Sequence, residues 1–147
     1  MASAETVDLS EAHAPRQESL RVFEELQSEL KQELIKLRHN HDKHEPEYFA
    51  AVRDLSDHEL AAALAVENFK EVRVATSAYG IHLFGKVRIP SMPADGPAYI
   101  QFRLFSTGSD DPARFHAFHT EEKEEEGGGK TFRAIFTDRD PLEWFDN

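Results

Sequence analysis

Cysteine is absent from this 147-residue chain. That excludes disulfides, thiolate metal sites and a cysteine nucleophile, while constraining the cellular compartment little. Long apolar runs are missing too: none reaches the roughly 18 residues that a bilayer span requires. Met1 to Ala14 lacks both the basic start and the apolar centre of a secretory signal. The expectation is a soluble, unexported protein of the cytoplasm with no membrane partner. Cations are scarce, 17 Lys and Arg against 28 Asp and Glu for a formal charge of -11. Nucleic acid is therefore not an expected partner.

The motifs of catalysis are also wanting. There is no GxSxG and no HExxH, and the carboxylates crowd onto helix surfaces and loops, where solvation explains them. Asp57 and His58 adjoin in sequence but point apart on a helix. Gly129-Lys130-Thr131 imitates the end of a phosphate-binding loop, yet the first glycine of that motif would fall at Glu124, and a strand pattern follows where a helix is needed. No catalytic residue, cofactor or metal is expected, and binding is favoured over catalysis.

What is present is periodicity. Residues 1 to 16 are polar and aperiodic and read as a flexible tail, with a single domain over 17 to 147. Leu20, Phe23, Leu26, Leu30, Leu34 and Leu37 recur at spacings of three and four and predict one long amphipathic helix. Arg38 to Pro46 reads as a turn, Glu47 to Asp54 as a short helix, and Ser56 with Glu59 as a capping box opening a helix that reaches Phe69. His39, His41 and His44 sit beside Asp42 and Glu45, but their spacing does not put three ligands on one helical face; cationic histidines suit a helix C-terminus without any metal. His116 and His119 fall on opposite faces of a regular strand, and His82 and His116 beside several arginines make a better anion site than cation site.

From Val72 to Thr137 five stretches alternate in character. Ile81, Leu83, Val87 and Ile89, then Ile100, Phe102 and Leu104, take one face, joined by Val72, Val74, Phe115, Ala117, Phe132, Ala134 and Phe136 as core. The opposite face carries Arg73, His82, Phe84, Arg88, Tyr99, Arg103, Phe105, Arg114, His116, Phe118 and Arg133, together with Lys86 and Gln101. Breaks at Tyr79-Gly80, Pro90 to Pro97, Thr107 to Pro112 and Glu121 to Gly129 predict hairpins; the last, EEKEEEGGG, reads as a mobile loop. The fold expected is α+β, N-terminal helices on a four- to five-stranded antiparallel β-meander.

FKEVRVATSAYGIHLFGKVRI from Phe69 to Ile89, followed by AYIQFRLFST from Ala98 to Thr107, resembles the cystatins, particularly the stefin branch. The resemblance covers about residues 17 to 120 and implies one helix across an antiparallel sheet. It also implies cysteine protease inhibition by a wedge of N-terminal segment and two hairpin turns. Thr76, Ser77, Ala78, Tyr79 and Gly80 stand where the family has QxVxG, and only the glycine matches; Thr107 to Asp111 has no leucine-proline pair.

The arginine and aromatic face admits two uses. Its rings pack under a helix or against a second copy of the chain, with arginine stems at the rim, giving a homodimer. Alternatively the face recognises an acidic or aromatic ligand, since a guanidinium forks onto carboxylates and stacks on rings. A protein-interaction domain self-associating through this sheet face is the leading expectation, with protease inhibition by the turn, or a small-ligand protein or enzyme using a cavity between sheet and helices, as the others.

Overall fold

A computed structural model describes residues 9 to 107 and 112 to 146. Helix α1 (Gln17–His44) is followed by a 3₁₀ segment (Pro46–Val52), helix α2 (Asp57–Ala62) and a further 3₁₀ turn (Val66–Asn68). Strands β1 (Phe69–Ser77), β2 (Gly80–Arg88), β3 (Tyr99–Ser106) and β4 (Arg114–Phe118) form one antiparallel sheet in that order, and β5 (Glu121–Glu125) pairs with β6 (Gly129–Arg133) as a separate hairpin. The chain is thus α+β, a long helix on a β-meander. No helix among the described residues is long and apolar enough to cross a membrane.

The apolar stripe of α1 decides where the sheet sits. Val22, Phe23, Leu26, Leu30 and Leu34 are buried in one cluster with Val72, Leu83, Val87, Ile100, Phe102 and Leu104. Rings of Phe23, Phe69 and Phe102 lie 5.0 to 5.6 Å apart at its centre. Period-two alternation sends these strand residues to the helix side and the arginines to the other. Gly85 lies on the helix side opposite Phe102, and the Phe102 ring occupies the space a side chain would take: a Cβ on Gly85 would stand 2.3 Å from Phe102 Cζ.

Several sequence expectations are corrected. The long helix does not stop near Arg38 but runs to His44, because Arg38 is buried and its guanidinium donates to the carbonyls of Val52 (3.0 Å) and Leu55 (2.6 Å) and to Asp57 (3.2 Å), binding the following segment to α1. The capping box at Ser56 and Glu59 forms, but α2 ends at Ala62, since the Ala63 and Leu64 carbonyls are taken by the Asn68 and Gln27 side chains. The described part of the N-terminal tail is no loose segment: Leu9 pairs with Ala75 and His13 with Val72 along the free edge of β1. The acidic loop forms strand β5 and its turn. Its like charges are offset by cations across the hairpin, Arg133 on Glu121 (3.0 Å) and Lys130 on Glu122 (3.7 Å), and Gly127 and Gly128 supply the positive φ angles, +91° and +83°, that the turn needs.

A bulge in β4 moves one face residue. Arg103 pairs with Ala117 and Leu104 with Phe115, leaving His116 as the extra residue, so Phe115 and Phe118 both pack in the helix-side core. Phe118 therefore does not belong to the arginine face. Phe136 is buried, as expected of core, but against His119 and Arg133 on the far side of the sheet.

Gly85→Ala should destabilise the fold by about 1–3 kcal/mol, the range for overpacking a core. Phe102→Leu in the same chain should recover part of that loss, read by urea denaturation; equal stability of Gly85→Ala and wild type would contradict the packing described.

Candidate functional site

The second face of the sheet is closed by the chain's own C-terminus. After β6, Ala134 and Ile135 enter the helix-side core, Phe136 pairs with Tyr99 where β4 leaves β3 uncovered, and residues 137 to 146 then cross the face. Asp140 fixes the entry. Its carboxylate takes both Arg133 Nη atoms at 2.9 and 3.0 Å and accepts from the Thr137 amide at 2.8 Å and hydroxyl at 2.9 Å. Burial pushes its pKa up, and the Thr137 and Arg133 bonds more than reverse this, so it lies below the ordinary carboxylate value.

Cations of the face then receive the carbonyls of the crossing segment. Lys86, buried, donates to the Asp138 and Asp140 carbonyls at 3.0 and 2.9 Å. Arg73 donates to Leu142 at 2.6 Å and, by Nε, to Ser10 at 2.8 Å, joining both termini to β1. Arg103, only 4% exposed, donates to the Phe145 carbonyl at 2.9 Å and to Asp146 at 3.1 Å. Rings fill the remaining space. Phe84, fully buried, meets Trp144 at 5.3 Å and Phe145 edge-on at 5.2 Å; the Arg103 guanidinium lies 4.4 Å from the Trp144 ring; and His119 stacks between Phe136 and Phe145.

Eight of the eleven face residues read from sequence join this arrangement: Arg73, His82, Phe84, Tyr99, Arg103, Phe105, His116 and Arg133. Tyr99 hydrogen-bonds Asp138 and lies beneath Lys86. His82 is buried, its ring 5.1 Å from Phe105 and 5.4 Å from Trp144. Arg103 Nη2 donates to its Nδ1 at 3.1 Å, which leaves the proton on Nε2, 3.1 Å from the Ser77 hydroxyl. His116 Nε2 lies 3.3 Å from Arg103 Nη1 and 3.1 Å from the Asp146 carbonyl. Arg88 instead folds onto the following loop, donating to the Ile89 and Met92 carbonyls at 2.9 Å, with Tyr99 beneath it. Arg114 is exposed on β4.

The partners of this face were missed in the sequence. Leu142, Trp144 and Phe145 follow Pro141 without any period, so strand and helix templates pass over them; the signal was compositional, the chain's one tryptophan beside a phenylalanine and two acids in LEWFD.

The proposed inhibitory turn is shorter than five residues. Thr76 and Ser77 belong to β1 and Gly80 to β2, so Ala78 and Tyr79 alone connect the strands, with Tyr79 64% exposed. In the second turn, residues 108 to 111 lie outside the described residues. The histidines at the end of α1 diverge: His39 Nε2 is 2.6 Å from Asp57, and His41 packs on Tyr48 at 4.0 Å. Among the described residues no three His, Asp or Glu side chains converge as metal ligands.

Burial lowers the pKa of His82, and the Arg103 and His116 charges lower it further. An imidazole whose folded pKa lies below the unfolded value of about 6.5 contributes stability that is present above that value and lost as pH falls through the folded one. Stability measured by urea titration should therefore decline from pH 7 towards pH 5, and His82→Asn should flatten that slope. An unchanged slope in the variant would contradict the arrangement.

No family model matches the sequence, and neither the curated proteins nor the solved structures give a match.

Proposed function

We propose that this domain acts by binding, and that its arginine and aromatic face recognises an acidic, aromatic peptide segment. In one chain the occupant is residues 137 to 146; in a homodimer it is the same segment of a second copy. The observation that carries this reading is that four carbonyls of one extended segment, those of Asp138, Asp140, Leu142 and Phe145, each accept from a cation of the face. Main-chain bonds of this kind hold any extended peptide, while the pocket between Phe84, His82 and Arg103 selects an aromatic side chain in the place of Trp144. Exchange of a terminal segment between copies adds no new contact chemistry, which makes it an inexpensive route to a dimer. The exposed Tyr79 at the β1–β2 turn is the one feature that favours protease inhibition as a second reading, and that reading otherwise rests on the cystatin resemblance alone.

A tethered segment acts at an effective concentration of order millimolar, so the native face is closed to a free peptide of micromolar affinity. Full-length chain with Trp144→Ala and Phe145→Ala should bind a fluorescent peptide of residues 137–146 with micromolar Kd by anisotropy. Wild type should bind it at least tenfold more weakly, and adding Arg103→Met to the double variant should abolish binding. No binding by a natively folded double variant would refute the proposal, and a wild type that is monomeric by light scattering at millimolar concentration would remove the second copy as donor.

A further inference from the structure

On the helix side of the sheet, at the start of α1, lies an open cleft of about 290 Å³. Val74, Ile81, Leu83 and Leu104 form its apolar wall, with Val22 above them. Its other end is polar, bounded by Arg16, Glu18 and Ser19 in the first turn of α1. Two features of that end call for a ligand. The helix has 28 residues and no described side chain caps its first amides, so its N-terminus offers those N–H groups and the positive end of a long dipole. Ser19 lines the cleft and is 5% exposed, yet no described residue exchanges a hydrogen bond with its hydroxyl. A serine in a helix ordinarily returns its hydroxyl to a carbonyl one turn back. Here no described residue makes that bond, so the hydroxyl at the cleft wall keeps a hydrogen bond to give to a bound acceptor.

We propose that the cleft binds a small amphipathic carboxylate. Its carboxyl group lies at the start of α1, accepting from Ser19 and the free amides beside the Arg16 guanidinium, and its hydrocarbon body lies on Val74, Ile81, Leu83 and Leu104. Helix N-termini with a donor side chain take anions for the reasons just given, and the apolar wall requires that the anion carry a hydrocarbon portion. The one carboxylate among the lining residues, Glu18, is turned to Arg21 at 2.6 Å, and that bond keeps its pKa below the ordinary value, so it remains an ion already paired. At the packing density of protein interiors a cleft of this volume takes roughly a dozen non-hydrogen atoms, the size of a medium-chain aliphatic acid or an arylalkanoic acid. The chain's overall charge of -11 opposes any anion, so selection for the carboxylate must come from these local donors.

Titration of the full chain with octanoate, octylamine and octanol, followed by methyl NMR and calorimetry, tests the assignment. Octanoate should bind once per chain with a submillimolar Kd, shifting the methyl signals of Val22, Leu83 and Leu104. Octylamine should bind at least tenfold more weakly. Ser19→Ala should weaken octanoate about fivefold or more and leave octanol unchanged, and Ile81→Trp, which fills the wall, should remove both. Absence of saturable octanoate binding, equal affinity for octylamine, or a Ser19→Ala variant that binds octanoate like wild type would each overturn the proposal. The cleft lies across the sheet from the C-terminal segment, so displacement of the free 137–146 peptide is not expected in the same titration.

Discussion

The guanidinium of Arg103 is the group on which the second half of this structure depends. It sits at the middle of β3, 4% exposed, on a strand whose other face is the helix-side core. A cation there is costly unless it is paired and its donors are met. Asp146, the Phe145 carbonyl, the His82 imidazole and the rings of Phe84 and Trp144 together meet that requirement, although Nε stays without a partner. Most of these groups come from the C-terminal segment, so the segment and the buried charge stabilise one another. Removing the segment would leave a partly desolvated cation, and removing Arg103 would leave the segment without its central anchor.

The same logic explains how an acidic chain uses its few cations. Arg73, Lys86, Arg103 and Arg133 each bind carbonyls or carboxylates of the two terminal segments, so the cations concentrated on one sheet face are spent inside the molecule. The carbonyl contacts need no particular sequence in the occupant. The contacts that depend on the segment's side chains are Trp144 and Phe145 on Phe84 and the carboxylates at either end, Asp140 on Arg133 and Asp146 on Arg103. A face built in this way holds an extended segment of its own chain chiefly through main-chain carbonyls.

The sheet and the long helix were legible in the sequence because each rests on a repeating pattern: Leu20 to Leu37 at helical spacing, Ile81 to Ile89 and Ile100 to Leu104 in alternation. The membership of the arginine face followed from the same alternation and failed where a bulge interrupted it, at His116, which turned Phe118 to the core. What covers the face was not legible, since Leu142, Trp144 and Phe145 meet it as an irregular segment held by side chain to carbonyl bonds, and such bonds leave no period. Hairpin β5–β6 was hidden for a related reason: its residues are mostly exposed and leave no buried period, and five glutamates in a row of nine residues read as repulsion until the cations opposite are known.

Residues 137 to 146 lie on the arginine and aromatic face of the same chain. Trp144 is the chain's sole tryptophan, so its indole signals need no assignment among alternatives. Nuclear Overhauser contacts from the Trp144 indole in dilute, monomeric protein report whether the segment occupies that face. Cross-peaks are expected to the Phe84 and His82 rings and to the Arg103 side chain. An indole with sharp, solvent-like resonances and no contact to β2 or β3 would contradict that placement.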